Sequence, residues 1–211
     1  MTDRLTLYKA ISKIAYGFIF ILVHIKIGPF DFLPDFVGYI MIIYAISILK
    51  DECKTIMLLK PLGTVLAVWH TILCILQVFG ITSFPFSSLI NITVSIITIY
   101  FNFQLLTDLS LIAEKYQQTD EALDRKFIVR RNIYTICMTV IFIFSYITLK
   151  FHSVPEDIAV IITSIPGMIS LIAMFLVVSA LFSLRKKFRD NEPSQKNSPN
   201  DFGENTQQNN C

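Results

Sequence analysis

Charged residues are scarce in this sequence. Asp, Glu, Lys and Arg make up only 16% of its 211 residues, whereas 54% are apolar and the mean hydropathy is +0.60. A soluble domain of this size carries about a quarter charged residues, so the chain lacks the polar surface that a water-exposed shell requires. The charges also cluster in short stretches between long uncharged runs, a pattern typical of integral membrane proteins.

Cysteine pairs and catalytic motifs are also missing. The cysteines, Cys53, Cys74, Cys137 and Cys211, include no C-x-x-C pair, so we expect no disulfide framework. The patterns G-x-x-x-x-G-K-[ST], H-E-x-x-H and G-x-S-x-G do not occur. We therefore expect no cofactor and no metal, and the sequence favours a protein that is not an enzyme. A net charge of +2 with dispersed basic residues argues against nucleic acid as a partner.

The sequence contains several long apolar runs. A helix that crosses the hydrocarbon core of about 30 Å needs about 20 mostly apolar residues. The predicted spans run from about residue 7 to 27, 34 to 49, 61 to 79, 86 to 106, 133 to 149 and 158 to 184. The second of them is short. We expect an all-α fold, a polytopic transmembrane bundle formed by residues 1 to 189, whose partner is the lipid bilayer.

The positions of Lys and Arg predict how the bundle is oriented. If the chain crosses the membrane at these six places, only Lys26 and Lys150 of the 18 basic residues fall on one side. Basic residues in short loops are retained in the cytoplasm. We therefore expect three helical hairpins in the cell membrane, with both termini cytoplasmic.

A polar segment of residues 107 to 132 lies on the predicted cytoplasmic side. Leu105, Leu109, Ile112 and Tyr116 fall at helical spacing, so the fourth span should continue beyond the membrane with one apolar stripe. A second helical piece should begin after a cap at Thr119. A protein partner could bind through this helical loop. Residues 190 to 211 are rich in Asn, Gln, Ser and Pro, and we expect a disordered cytoplasmic tail.

The first outer turn places two carboxylates, Asp31 and Asp35, four residues apart near the membrane boundary. In one interpretation they are structural: Asp31 caps the second helix, Pro34 lies in its first turn and Asp35 favours the positive end of the helix dipole. In the other, they form an outward-facing site for a cation, a proton or a basic head group. That candidate outer-turn site comprises His24, Asp31, Asp35, His152, Glu156 and Asp157.

The same turn carries a resemblance to a known group. It contains the pattern G-x-x-D-x-L-P-D-F-[VI]-G-Y, formed by Gly28, Asp31 and the run from Leu33 to Tyr39. This segment resembles an uncharacterised group of small multipass membrane proteins of low-GC Gram-positive bacteria. The resemblance covers the first hairpin, and it implies a bacterial cell-membrane location and no particular activity.

Polar residues inside the predicted spans form a second candidate site. His70 and Gln77 share one face of the third span, and Asn91, Ser95, Asn102 and, less closely, Thr98 line part of the fourth. Such residues usually hydrogen-bond between helices within a bundle. The alternative is an intramembrane polar path, for which the candidates are His70, Gln77, Asn91 and Asn102.

Three functions are compatible with these patterns. The first is a non-enzymatic scaffold or regulatory membrane protein, because the cytoplasmic side carries more polar features than the outer side. The second is a transporter or channel for a small solute, which would use the polar faces of the third and fourth spans. The third, with least support, is an enzyme that acts on a lipid head group at the outer turn through Asp31 and Asp35.

Overall fold

The computed structural model describes residues 4–22, 26–27, 30–31, 34–81, 87–116, 122–150 and 156–190. These residues form six α-helices. The helices are α1 (Arg4–Leu22), α2 (Asp35–Leu49), α3 (Leu59–Val78), α4 (Ser87–Tyr116), α5 (Leu123–Lys150) and α6 (Glu156–Asp190). A 3₁₀ helix, Lys54–Leu58, precedes α3, and two short strands, β1 (Lys26–Ile27) and β2 (Phe30–Asp31), lie between α1 and α2.

The helices confirm an all-helical protein suited to a membrane. In the part of the chain that the structure describes, five segments are long and apolar enough to cross a bilayer: Arg4–Leu22, Lys54–Val78, Leu89–Tyr116, Leu123–Phe144 and Ser164–Arg189. α2 is apolar but has only 15 residues. At 1.5 Å per residue it is about 22 Å long, which is shorter than a hydrocarbon core of about 30 Å.

The six helices form a closed ring. Each helix packs against the next one along the chain, and α6 packs back against α1. The contact between α3 and α4 is the sparsest in this ring. We call the end where α1 finishes and α2 begins the Asp35 end, and the end where α2 finishes the Glu52 end. At the Glu52 end the interior is filled by fully buried apolar side chains that include Leu49, Leu105 and Leu181.

The predicted stripe on the fourth helix is confirmed. α4 continues to Tyr116, and Leu105, Leu109 and Ile112 are buried within the bundle. The Tyr116 ring packs edge-on against Phe188 of α6, with ring centroids 5.1 Å apart. The second predicted piece is the first part of α5, which runs without interruption into the fifth predicted span. Thr119 and the predicted tail after residue 190 lie outside the described residues.

The turn between α1 and α2 differs from the prediction. Lys26 and Ile27 do not extend the first helix, because they pair in antiparallel register with Asp31 and Phe30. Two extended dipeptides separated by two residues have the spacing of a tight hairpin, and the ladder satisfies backbone groups that a helix would otherwise have to satisfy. The prediction that Asp31 caps the second helix was wrong. The N-cap position is Pro34, in extended conformation and without a side-chain cap, so Pro34 also precedes the first turn.

α1 and α2 approach each other closely at two glycines. A Cβ atom added to Gly38 would lie 2.5 Å from the carbonyl oxygen of Gly17, and one added to Gly17 would lie 2.8 Å from that of Gly38. Small residues permit this kind of close helix packing within membranes. The neighbouring residue on α2, Tyr39, is thereby directed towards the interior of the ring, where its side chain is only 2% exposed.

We expect Gly38→Ala to destabilise the bundle, because the new methyl group forces α1 and α2 apart. Overpacking of this kind costs about 1–3 kcal/mol. Gly167→Ala on α6 is the control, since a Cβ there would meet nothing within 4 Å and alanine favours a helix over glycine. In thermal unfolding of the detergent-solubilised protein, Gly38→Ala should lower the midpoint and Gly167→Ala should not. Equal midpoints for wild type and Gly38→Ala would contradict the close contact.

The segment after α2 is fastened to α4 through two carboxylates. The Asp108 side chain is fully buried, and its Oδ1 accepts hydrogen bonds from Thr55 Oγ1 at 2.7 Å and Gln104 Nε2 at 3.0 Å. Nearer the end of α4, Lys115 and Tyr116 Oη donate hydrogen bonds to Glu52, the one from Tyr116 at 2.9 Å. These contacts hold the 3₁₀ helix and the end of α2 against α4.

Candidate functional site

A cavity of about 410 Å³ lies inside the ring of helices. Residues from all six helices line it, and its volume is within the range of sites that bind small molecules. The polar residues among them are Asp35, Tyr39, His70, Asn91, Ser95, Thr98, Asn102, Tyr134 and Ser170. A polar lining in the interior of an otherwise apolar bundle makes this cavity the candidate functional site.

An aspartate and a histidine form the most polar wall of the cavity. Asp35 Oδ2 lies 3.1 Å from His70 Nδ1. Asp35 is the first residue of α2, where a negative charge is favoured by the helix dipole. Tyr39 follows it by one helical turn on the same face, and its ring centroid lies 5.1 Å from that of His70. The buried tyrosine ring therefore packs against the imidazole and limits how it can turn.

The opposite wall is formed by α4 and α5. Asn102, only 4% exposed, donates a hydrogen bond from Nδ2 to Tyr134 Oη at 3.0 Å. This bond joins the two helices at the floor of the cavity. The carbonyl oxygen and the second N–H of the Asn102 amide are not used by this bond.

Three hydroxyl groups of the cavity lining donate to carbonyl oxygens of their own helices. Ser95 donates to the carbonyl oxygen of Asn91 at 2.8 Å, Thr98 to that of Val94 at 2.9 Å, and Ser170 to that of Gly167 at 2.8 Å. Since the hydroxyl protons of Ser95 and Ser170 are engaged within their own helices, these two groups would meet a ligand as acceptors. Together with the Asp35 carboxylate, these groups suit a ligand that carries hydrogen-bond donors.

The charge of the lining restricts the ligand further. No Lys or Arg is among the residues that line the cavity in the described part of the chain. An anion taken out of water without a cation to pair with is strongly disfavoured. Within the same residues, no three His, Cys, Asp or Glu side chains come together as a metal site would require. The cavity therefore suits a neutral or cationic polar group.

The structure brings together one residue of the outer-turn set and three of the intramembrane set. Asp35 of the outer-turn set faces His70 of the intramembrane set, and Asn91 and Asn102 also line the cavity. Gln77 is not among the lining residues, and its side chain is exposed. Of the remaining outer-turn candidates, His24 and His152, and the side chains of Asp31, Glu156 and Asp157, lie outside the described residues.

Sequence reasoning missed Tyr134 and Ser170 on the far side of the cavity. Both are polar residues in apolar segments, which is the one signal that marks them. α5 and α6 have apolar residues on every side, so no periodicity identifies the face that turns inward. Asp108 was missed as well, because Thr55, one of the groups that satisfy it, lies more than 50 residues away along the chain.

The chain was compared with protein-family models, with curated proteins and with solved structures. None of these comparisons found a match. The chemistry of the cavity itself is therefore the basis for assigning a function.

Proposed function

We propose that this chain is a carrier in the cell membrane that binds a small polar solute, neutral or cationic, in the six-helix cavity. The observation that carries the proposal is the Asp35–His70 pair, 3.1 Å apart, at the wall of that cavity. An ionisable residue within a membrane bundle is costly, and such residues usually mark a substrate or ion pathway. The helix dipole explains an acid at the start of α2, but it does not explain a histidine partner for that acid at the wall of a cavity.

The proposal includes six spans arranged as three hairpins, with both termini in the cytoplasm. The bias of basic residues supports this orientation, since only Lys26 and Lys150 would face outwards. α2 packs against both α1 and α3 in the ring, which supports counting it as a span although it is short. A short span is accommodated by local thinning of the bilayer at a modest cost.

The packing of the two ends supports access from one side at a time. Ile21, Leu22 and Asp35 line the cavity at the Asp35 end, which is the outer side in this orientation. At the Glu52 end, Leu49, Leu105 and other fully buried side chains fill the interior. A carrier must close one side while the other is open, and in the proposed orientation the filled Glu52 end is the closed, inner side.

The other two functions have less support. A scaffold would act through the helical loop of residues 107 to 132 and the tail, which lies outside the described residues. In the loop, the apolar stripe through Leu109 and Ile112 is buried against the protein's own helices. It does not form a free docking surface for a partner. A lipid-head-group enzyme would need two carboxylates in one cleft, and among the described side chains Asp35 is the only acid in the cavity lining.

We expect the orientation to appear in cysteine labelling of right-side-out vesicles, in a variant whose native cysteines are replaced by serine. A membrane-impermeant maleimide should react with Ile81→Cys, at an exposed position after α3, because that residue lies outside. It should not react with Asp51→Cys or Lys186→Cys until the membrane is permeabilised. Labelling of Asp51→Cys in sealed vesicles would overturn the proposed orientation.

We expect small polar solutes to stabilise the purified protein by binding in the cavity. Ethanolamine and glycerol should raise the thermal unfolding midpoint, whereas inorganic phosphate should not, because the described residues that line the cavity include no Lys or Arg. A ligand at 100 times its Kd adds about 2.7 kcal/mol. Asp35→Asn and His70→Ala should weaken the binding by about tenfold or more, since a hydrogen bond to a charged group contributes about 1.5–3 kcal/mol.

Gln77→Ala is the matched control for these variants, because Gln77 belongs to the same helix as His70 but does not line the cavity. It should bind both solutes as the wild type does. Uptake of labelled ethanolamine or glycerol into proteoliposomes should likewise fall in Asp35→Asn and His70→Ala and stay at the wild-type level in Gln77→Ala. A midpoint that neither solute moves, or that moves equally in Asp35→Asn, would contradict the proposed function.

A further inference from the structure

A second cavity lies on the outer surface of the ring, between α3 and α4. It is an open groove of about 470 Å³, and its walls include the exposed side chains of Val65, Val68, Ile72 and Leu89. Its polar groups are already satisfied, since Thr64 and Thr93 donate to the carbonyl oxygens of Lys60 and Leu89 in their own helices. In a membrane this groove faces the hydrocarbon, where an apolar chain fits and a polar group does not.

The groove and the polar cavity meet at the same seam. Trp69 of α3 and Val94 of α4 line both of them. The seam is also where neighbouring helices of the ring are least tightly packed. Among the described residues, Trp69 and Val94 are the two that the lipid-facing groove and the polar cavity share, so a modest separation of α3 from α4 would join the two spaces.

A second apolar groove provides the contrast. It lies between α4 and α5, has a volume of about 500 Å³ and includes Ile96, Phe103 and Thr139 in its walls. It shares no lining residue with the polar cavity. Helix packing in this bundle thus leaves apolar grooves in more than one place, and of these two grooves the one between α3 and α4 adjoins polar groups in the interior.

We propose that the solute bound in the cavity is the head group of a membrane amphiphile, which enters sideways between α3 and α4. Its apolar chain lies in the α3–α4 groove, and its head reaches past Trp69 and Val94 to the Asp35–His70 pair. This inference rests on the proposed function and names its substrate class. Because the described lining residues include the Asp35 carboxylate and neither Lys nor Arg, the head group carries hydroxyl or ammonium donors and no phosphate.

Trp69 allows a direct test, because it is the single tryptophan of the chain and lies at the seam. The full chain is placed in nanodiscs of unbrominated phosphatidylcholine, and its fluorescence is titrated with a monoacylglycerol brominated on its chain. Bromine quenches only at close range. We expect saturable quenching at low mole fraction, and no saturable quenching by a phosphatidic acid brominated in the same way.

Two threonine variants form a matched pair for this titration. Thr93→Phe fills the α3–α4 groove, and Thr139→Phe fills the α4–α5 groove. Each threonine donates only to a carbonyl of its own helix, so the two substitutions lose equivalent bonds. Excluding two methylene groups from the groove costs about 1.6 kcal/mol, so Thr93→Phe should raise the half-saturation point about tenfold. Thr139→Phe should leave it unchanged.

Asp35→Asn should also raise the half-saturation point, because it alters the head-group end without touching the groove. If Thr93→Phe lowers the unfolding midpoint, the titration uses Val68→Phe instead, which fills the same groove from the facing wall. Equal quenching in wild type and groove variants, or equal quenching by phosphatidic acid, would overturn the inference. If that result came with Asp35-dependent stabilisation by glycerol or ethanolamine, the proposed function would stand and only the lateral route would fail. If neither solute bound, both would fail.

Discussion

A carboxylate inside a membrane bundle must be paired or hydrated, since the hydrocarbon offers it neither water nor counter-charge. Asp35 meets this constraint through His70, and the surrounding structure is what makes the pair available. The Gly17–Gly38 contact seats α2 closely on α1 and turns the Asp35 and Tyr39 face towards the centre of the ring. The polar cavity, and the function proposed for it, depend on this pairing.

Acidic residues have different surroundings at the two ends of the bundle. At the Glu52 end, Asp108 and Glu52 are occupied by hydrogen bonds from Thr55, Gln104, Lys115 and Tyr116, and these bonds fasten the chain that follows α2. Towards the Asp35 end, the acid faces a cavity. The carboxylates at the Glu52 end join neighbouring elements through Asp108 Oδ1 and Glu52 Oε2. The Asp35 carboxylate lies at a cavity wall instead, where it can exchange its contacts for those of a ligand.

Local physical rules predicted much of the fold and part of the site. Apolar runs gave the helices, and the spacing of Leu105, Leu109 and Ile112 gave the buried extension of α4. The contact between Asp35 and His70 is a tertiary contact. No local pattern predicts it, because one residue belongs to α2 and the other to α3. The strands around residues 28 and 29 were missed for a similar reason, since hydropathy does not distinguish an extended pair from the end of an apolar helix.

The proposed carrier requires water-accessible space inside the ring, next to Asp35 and His70. Neighbouring residues of α4 test it most directly: Ser95 lines the cavity, whereas Ile96 lines the apolar α4–α5 groove. In a variant without native cysteines, Ser95→Cys should react with a small water-soluble thiol reagent, and Ile96→Cys should stay unreactive in the membrane. Equal protection of both cysteines, or faster reaction at residue 96, would contradict a polar cavity at the centre of this bundle.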